Sequence, residues 1–166
     1  MANDHVGYTG NVLIKVKNKK NKVTDQIRVK NAGLSGLFRG IVIALNGNLN
    51  KDYLPNYIAV GSSNIATDDL KRNNLENEIT RSLITDRNRI DEHFDSDHKL
   101  DGWSITFGAT IPFSNIANTT IKELGLCGND NAGSLLARIV LTDDQKIEVK
   151  EGTSLTIEWT ILVQNK

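Results

Sequence analysis

Cysteine, proline and aromatic residues are scarce in this chain, and its charges cancel. The 166 residues include one cysteine and two prolines, and aromatic residues make up 5%. The single cysteine, Cys127, excludes an intrachain disulfide framework and a multi-cysteine zinc site. Twenty basic side chains balance twenty acidic ones. No net charge therefore attracts nucleic acid or an anionic membrane over long range, and we expect neither as a partner.

Long hydrophobic runs are also missing. The longest, residues 41–45, spans five residues, whereas about 20 are needed to cross a bilayer. The first ten residues lack the basic-then-apolar layout of a secretory signal. We therefore expect a soluble protein that folds in a cytoplasm. Without repeats or a proline-rich linker, residues 1–166 are predicted to form one domain.

The last third of the chain contains three apolar segments with a two-residue period, at residues 121–127, 135–141 and 147–163. In the last one, Leu155, Ile157, Trp159, Ile161 and Val163 would lie on one side of a strand, because side chains alternate between faces. Polar residues such as Glu158 would lie on the other side. This pattern is typical of an antiparallel sheet with one solvated face.

The N-terminal residues 1–30 are predicted to form a β-hairpin arm. Val12, Ile14 and Val16 alternate with polar residues before an Asn- and Lys-rich tip, and Ile27 and Val29 continue the period in a second strand. The exposed faces are basic, with Lys15, Lys17 and Arg28 as candidate interface residues. These lysines and arginines either keep a sheet edge soluble or form a binding patch.

Residues 31–47 change to a helical period. Asn31 is a suitable N-terminal cap, and Asn46-Gly47 supplies a C-terminal stop. Gly36 and Gly40 lie within this helix, where a small side chain lets another backbone approach closely. The neighbour is either the sheet or another subunit, so both glycines are candidate interface residues.

Further strands are predicted in residues 56–166. Tyr57 begins a short strand, residues 79–90 form a longer one, and residues 103–111 alternate clearly until Pro112. Trp103 and Trp159 fall on inward-facing positions and are predicted to be core. The whole pattern predicts a mainly β protein: an antiparallel, jelly-roll-like β-sandwich with an N-terminal hairpin and one α-helix.

An acidic tip, residues 91–102, is the first candidate for chemistry. It includes His93, Asp95, Asp97 and His98, which are candidate interface residues and offer oxygen and nitrogen ligands. The tip fails the EF-hand spacing, because Leu100 stands where the loop needs glycine, and two histidines alone do not make a zinc site. A mobile, solvated tip is the main interpretation, and weak divalent-cation binding is the alternative.

Other catalytic patterns are missing. Cys127 lies in an apolar, glycine-flanked context typical of a small buried residue, and no histidine is predicted near it. The glycines around Gly36 lie within the helical period and lack the Gly-Lys-Ser or Gly-Lys-Thr of a phosphate loop. We therefore predict no enzymatic activity, no cofactor and no metal.

One ordered set of short motifs resembles small structural proteins of tailed-bacteriophage virions, of the tail-fibre, tail-associated or head-decoration type. Its pieces are a predicted helix with Leu34-x-x-Leu37 that ends at Asn46-Gly47, then Tyr57-Ile-Ala-Val-Gly61, Leu75-Glu-x-Glu78 with Arg81, Ile121-x-Glu-x-Gly-Leu126, Leu135-Leu-Ala-Arg138 and Leu155-Thr-Ile-Glu-Trp-Thr-Ile161. The resemblance covers residues 31–163, while the basic hairpin and the long acidic tip depart from it.

The resemblance implies assembly into a virion, with other virion proteins and further copies of the chain as partners and no enzymatic residues. We accordingly expect a structural protein of the tail or capsid. A carbohydrate- or cation-binding, lectin-like sandwich is the alternative, because the loops are rich in acidic and amide side chains.

Overall fold

A computed structural model describes residues 6–31, 35–47, 51–65, 74–130 and 135–165. The strands are β1 (Val6–Lys17), β2 (Val23–Asn31), β3 (Tyr57–Gly61), β4 (Glu78–Leu83), β5 (Asp86–Phe94), β6 (Leu100–Ile111), β7 (Thr120–Ile121), β8 (Glu123–Cys127), β9 (Leu135–Val140), β10 (Ile147–Glu148) and β11 (Ser154–Asn165). The helices are α1 (Ser35–Leu45), α2 (Phe113–Ile116) and a short 3-10 helix (Lys51–Tyr53). The prediction of a mainly β protein is confirmed.

Two antiparallel sheets form the layers of a sandwich. The larger sheet has the strand order β2-β1-β11-β6-β5 and the smaller sheet the order β4-β3-β8-β9, while β7 and β10 form a separate pair. Side chains from both sheets meet in one hydrophobic core, for example Ile14 and Trp159 from the larger sheet with Ile58 and Leu124 from the smaller. Below, the inner face of each sheet is the one that contributes to this core.

Strand β11 lies at the centre of the larger sheet. It pairs with β1 on one side and with β6 on the other. Leu155, Ile157, Trp159 and Ile161 are all buried on its inner face. The two-residue period thus correctly predicted four of the five core side chains of β11, whereas the fifth, Val163, is only half-buried and lies outside the core.

The predicted hairpin forms, and it belongs to the larger sheet, where β1 lies between β2 and β11. The turn between its strands is held by Asn18, whose Oδ1 accepts hydrogen bonds from the backbone N–H groups of Lys20 (2.9 Å) and Lys22 (3.1 Å). Asn21 takes a positive φ of 58°, a conformation that asparagine tolerates better than most residues. The asparagines of this tip therefore define the turn.

Helix α1 ends as predicted but begins later. Gly47 has a φ of 78°, and its N–H donates to the carbonyl of Ala44 (3.0 Å), as expected of a glycine that terminates a helix. Asn31 was expected to cap the helix. It is instead the last residue of β2, where pairing with Gly10 keeps its backbone extended. Residues 32–34 lie outside the described residues.

The predicted strand at residues 79–90 is in fact two strands. β4 belongs to the smaller sheet and β5 to the larger one. Ile84, which is 3% exposed, lies in the core where the chain crosses between them. The alternating pattern of the sequence continues through this crossing, so the period alone could not locate it. The tip shortens to residues 95–99, because β5 and β6 extend further than predicted.

Helix α2 was not predicted. Pro112 ends β6 as expected, and four helical residues follow it, with Ile116 buried in the core. No helix among the described residues is long and apolar enough to cross a bilayer.

Candidate interaction surfaces

The basic residues of the hairpin lie on the outer face of the larger sheet. Lys15 forms an ion pair with Glu158 of β11, and the two side chains are 28% and 26% exposed. Its charge is thus balanced within the sheet. Lys17 lies further along β1, opposite Ser154, and Arg28 is exposed on the edge strand β2. Their role in an interface stays a prediction.

The two glycines of α1 pack within the chain. A Cβ on Gly36 would lie 2.7 Å from the Cα of Leu136 in β9, and one on Gly40 would overlap the carbonyl oxygen of Tyr53. Of the two neighbours left open by the sequence, the sheet is the one that approaches Gly36. Arg39 lies on the same helix with its guanidinium 5.4 Å from the centre of the Tyr53 ring.

An apolar groove of about 260 Å³ lies beside this helix. It is lined by Leu37, Gly40, Ile41, Ala44, Leu45, Tyr53 and Leu54. Leu45 is 83% exposed and Leu54 40% exposed. Apart from Tyr53, these lining residues have no polar side-chain atoms, whereas small-molecule sites fix the orientation of a ligand with several placed polar groups.

The acidic tip uses its polar side chains to hold its own turn. Asp95 Oδ1 accepts hydrogen bonds from the backbone N–H groups of Asp97 (2.8 Å) and Lys99 (2.9 Å). His98 takes a positive φ of 60° at this turn. His93 lies away from it, on β5, with its Nε2 2.8 Å from Ser104 Oγ. The structure therefore does not bring these four residues together.

A metal site is not apparent in the described part of the chain, where no three histidine, cysteine, aspartate or glutamate side chains cluster closely enough to hold an ion. Near the tip, Asp101 Oδ2 accepts a hydrogen bond from Gln164 (3.1 Å), and Asp91 pairs with Arg89 (3.6 Å). The carboxylates that the sequence placed in one loop thus point to different partners.

Trp103 corrects a prediction. It lies on the inner face of β6 as expected, but it is 47% exposed and does not belong to the core. Exposure rises along this face from Ile111 (0%) through Phe107 (7%) to Trp103, so the smaller sheet covers only the C-terminal half of β6. The two-residue period predicted the correct face for Trp103. Its side chain is exposed because the smaller sheet does not extend over this end of β6.

An exposed apolar strip results at this uncovered end. We define it as Ile90, Phe94, Leu100 and Trp103, which are 63%, 55%, 47% and 47% exposed. Phe94 faces Leu100 across the β5–β6 pair, and Ile90 faces the half-buried Ile105. Directly opposed residues lie about 4.5–5.5 Å apart between Cβ atoms. Trp103 faces Glu92 across the same strand pair, so a carboxylate borders the apolar strip at this uncovered end of the sheet.

Buried charges occur on the outer face of the smaller sheet. Glu123 is 0% exposed, and its Oε2 accepts hydrogen bonds from Arg138 Nε (2.9 Å) and Nη2 (2.7 Å). Its Oε1 accepts one from the backbone N–H of Asn77 (2.8 Å). Arg138 Nη1 also donates to the carbonyl of Ile65 (3.0 Å). This pair therefore fixes two chain segments over the sheet.

A second ion pair lies on the same face. Arg81 donates through Nε and Nη2 to the two carboxylate oxygens of Glu78, each at 2.6 Å, and through Nη1 to the carbonyl of Asn129 (2.8 Å). The hydrogen bond to Glu78 is the main reason that the pKa of Arg81 rises above its ordinary value. Burial raises the pKa of the Cys127 thiol to about 12, although Arg81 opposes the shift. Cys127 is therefore protonated at neutral pH, which makes it a poor nucleophile.

These ion pairs explain the short motifs in structural terms. Glu123 and Arg138 come from two different motifs, while Glu78 and Arg81 come from a third. Gly125 leaves space for Leu75 and Leu135, since a Cβ there would lie 3.0 Å and 2.8 Å from their side chains. The motif residues of β4, β8 and β9 thus hold the smaller sheet together. The sequence pointed to these motif residues only through the resemblance to virion proteins, and it did not predict the two ion pairs.

Comparison with known proteins assigns no family. No protein-family model and no curated protein matches the chain.

Proposed function

We propose that this chain is a non-enzymatic structural component of a tailed-phage virion, associated with the tail or fibre or decorating the capsid. It acts there through protein–protein contacts in a symmetric assembly. A contact role is supported by the apolar strip of Ile90, Phe94, Leu100 and Trp103, which is exposed at the surface of the larger sheet.

The strip favours a macromolecular partner for an energetic reason. Soluble monomers rarely expose large contiguous apolar patches, and such patches commonly mark interfaces. Burying apolar surface releases about 25 cal/mol per Å², and aromatic side chains such as Trp103 and Phe94 are enriched at interfaces. Because β5 and β6 hold these side chains on a paired backbone, little backbone conformational entropy is lost when a partner covers them.

The described polar clusters also support a structural role. Glu123 with Arg138 and Glu78 with Arg81 are satisfied by each other and by backbone groups. Charges arranged in this way stabilise a specific packing. They differ from a catalytic arrangement, in which a nucleophile and a base lie within reach of a substrate.

Composition analysis of purified particles tests this proposal. The sample is gradient-purified virions of a phage whose genome encodes the chain. We expect mass spectrometry to detect the chain in these virions in a fixed ratio to the major capsid protein. Separating tails from heads before analysis assigns its location. If the chain is missing from intact particles, the proposal is wrong.

A carbohydrate-binding, lectin-like role is the second candidate, and the environment of Trp103 favours it. The exposed indole lies directly opposite Glu92 on the neighbouring strand. An aromatic face beside a carboxylate can stack on a sugar and accept hydrogen bonds from its hydroxyl groups. Intrinsic fluorescence measured across a glycan panel tests it, because a sugar stacked on Trp103 changes its emission. A flat response in every well rejects it.

A further inference from the structure

Strand β5 forms one edge of the larger sheet. It pairs with β6 on one side, and no strand among the described residues pairs with its other side. Asp86, Arg87, residues 89–92 and Phe94 are exposed, and His93 is half-buried. An edge strand of this kind presents a row of backbone donors and acceptors that another strand can satisfy.

We propose that a second copy of this chain pairs with this edge, β5 against β5, antiparallel about a twofold axis that is perpendicular to the sheet and lies midway between the two copies of Ile90. Two five-stranded sheets then join into one continuous sheet of ten strands. This inference rests on the proposed function, because the β5–β5 contact would supply the symmetric assembly with its partner and its interface.

Charge complementarity fixes the register. Arg89 and Asp91 lie opposite Thr106 and Ser104 of β6, so both are on the outer face of the sheet. A twofold axis at Ile90 places Arg89 of each copy opposite Asp91 of the other, which gives two cross-strand pairs of opposite charge. A shift of the axis by one residue would instead place Asp91 opposite Asp91 or Arg89 opposite Arg89. Like charges in directly opposed positions destabilise strand pairing.

The inner face matches the same register. Ile90 of one copy would lie opposite Ile90 of the other, and each already faces Ile105 within its own chain. Four isoleucines would therefore form one row across the joined sheets, with neighbouring strands about 4.8 Å apart. Pairing would bury part of Ile90, which is 63% exposed in the single chain.

The opposite edge of the sheet lacks this complementarity. On the outer face of β2, Arg28 and Lys30 are accompanied by Gln26 and by no acidic side chain. An antiparallel β2–β2 contact therefore offers no pair of opposite charges on that face. The two edges thus differ in charge pattern, and β5 is the edge that can recognise its own copy.

Sedimentation of the full chain over a concentration series tests the proposal. We expect a monomer–dimer equilibrium that weakens with added salt. R89D or D91R alone replaces each attractive pair with a repulsive one and should raise the dimer dissociation constant about tenfold or more. The double variant R89D/D91R restores opposite charges in reversed order and should recover the dimer. R28D on the other edge is the matched control and should leave the equilibrium unchanged.

Two results would overturn the proposal. One is a chain that stays monomeric across the series, which would mean that the charges of β5 act only to keep the edge unpaired. The other is a dimer that neither R89D nor D91R weakens, or that the double variant fails to recover although circular dichroism shows it folded. Both results are independent of whether the chain is found in virions, so failure here and failure of the proposed function remain distinguishable.

Discussion

Glu123 and Arg138 form a buried ion pair on the outer face of the smaller sheet, with 2.7 Å between Arg138 Nη2 and Glu123 Oε2. The two residues are not directly opposite each other. Arg138 pairs in register with Gly125, and Glu123 pairs with Val140. The Arg138 side chain therefore reaches the carboxylate of Glu123 diagonally, two residues along β8 from its own register partner.

Breaking this pair should strongly destabilise the fold. Glu123→Gln leaves the Arg138 guanidinium, whose side chain is 11% exposed, without its counter-charge. We expect the free energy of unfolding in a urea titration to fall by about 3–5 kcal/mol. Glu151→Gln is the control, because that carboxylate is 82% exposed in its pair with Lys19, and should change stability by less than about 1 kcal/mol. Equal effects of the two substitutions would contradict a structural role for the buried pair.

The two tryptophans should differ in their fluorescence. Trp103 is 47% exposed and Trp159 is 0% exposed. Trp159→Phe leaves Trp103 as the reporter, and we expect red-shifted emission that acrylamide quenches readily. Trp103→Phe leaves Trp159, with blue-shifted and protected emission. Similar quenching of both variants would show that the inner face of β6 is covered to the same extent along its length.

Trp159→Phe should remain folded. Trp159 Nε1 is buried, and it has no hydrogen-bond partner among the described residues. Phenylalanine removes this donor, which offsets part of the cost of the smaller ring. Far-UV circular dichroism and thermal unfolding should show a cooperative transition, whereas Trp159→Ala should cost about 3–5 kcal/mol because it leaves a cavity. If Trp159→Phe is as destabilised as Trp159→Ala, the unsatisfied donor is of no energetic consequence.

Cys127 should make stability depend on alkaline pH. Burial raises the pKa of its thiol from 9.0 to about 12. Above pH 9 the unfolded thiol loses its proton while the folded one keeps it, so folding becomes less favourable as the pH rises towards 12. Below pH 9 both states are protonated and the contribution is constant. We expect wild type to lose about 1.4 kcal/mol per pH unit relative to Cys127→Ala across this window. Parallel pH profiles for the two proteins would contradict this.

Gly36→Ala should destabilise the protein although alanine favours helices. The added Cβ would lie 2.7 Å from both the Cα and the carbonyl oxygen of Leu136. Backbone atoms cannot move aside cheaply, so we expect a loss of about 1–3 kcal/mol in chemical denaturation. Val42→Ala on the same helix is the control, since Val42 is 52% exposed and should shift stability by about 0.5 kcal/mol. Stabilisation by Gly36→Ala would mean that α1 does not pack closely on β9.

Side-chain alternation predicted the parts of the fold that depend on local pattern. Leu155, Ile157 and Trp159 repeat every two residues and are buried as expected. The same reasoning failed where the answer depends on what lies opposite. Trp103 lies on the predicted face of β6, but the smaller sheet does not cover it. The segment through Ile84 passes from one sheet to the other without a change in its two-residue period. A local period contains no information about the extent of the facing layer.

The interaction surfaces were predictable only in part. The sequence singled out the acidic tip, but the carboxylate of Asp95 closes its own turn, and His93 contacts Ser104 instead. The apolar strip became visible only when strand pairing brought Phe94 opposite Leu100. The buried pair of Glu123 and Arg138 also needs the register of two strands. Residues far apart in sequence come together through strand pairing, and one sequence alone does not specify which strands pair or in which register.

The most direct test of a contact role is site-specific photo-crosslinking inside assembled particles, with benzoylphenylalanine in place of Trp103. Asp143, which is exposed in the turn before β10, is the matched control position. We expect a covalent adduct between position 103 and a second polypeptide of the particle, with little or none from position 143. Particles that contain the chain but yield no adduct from position 103 would contradict it.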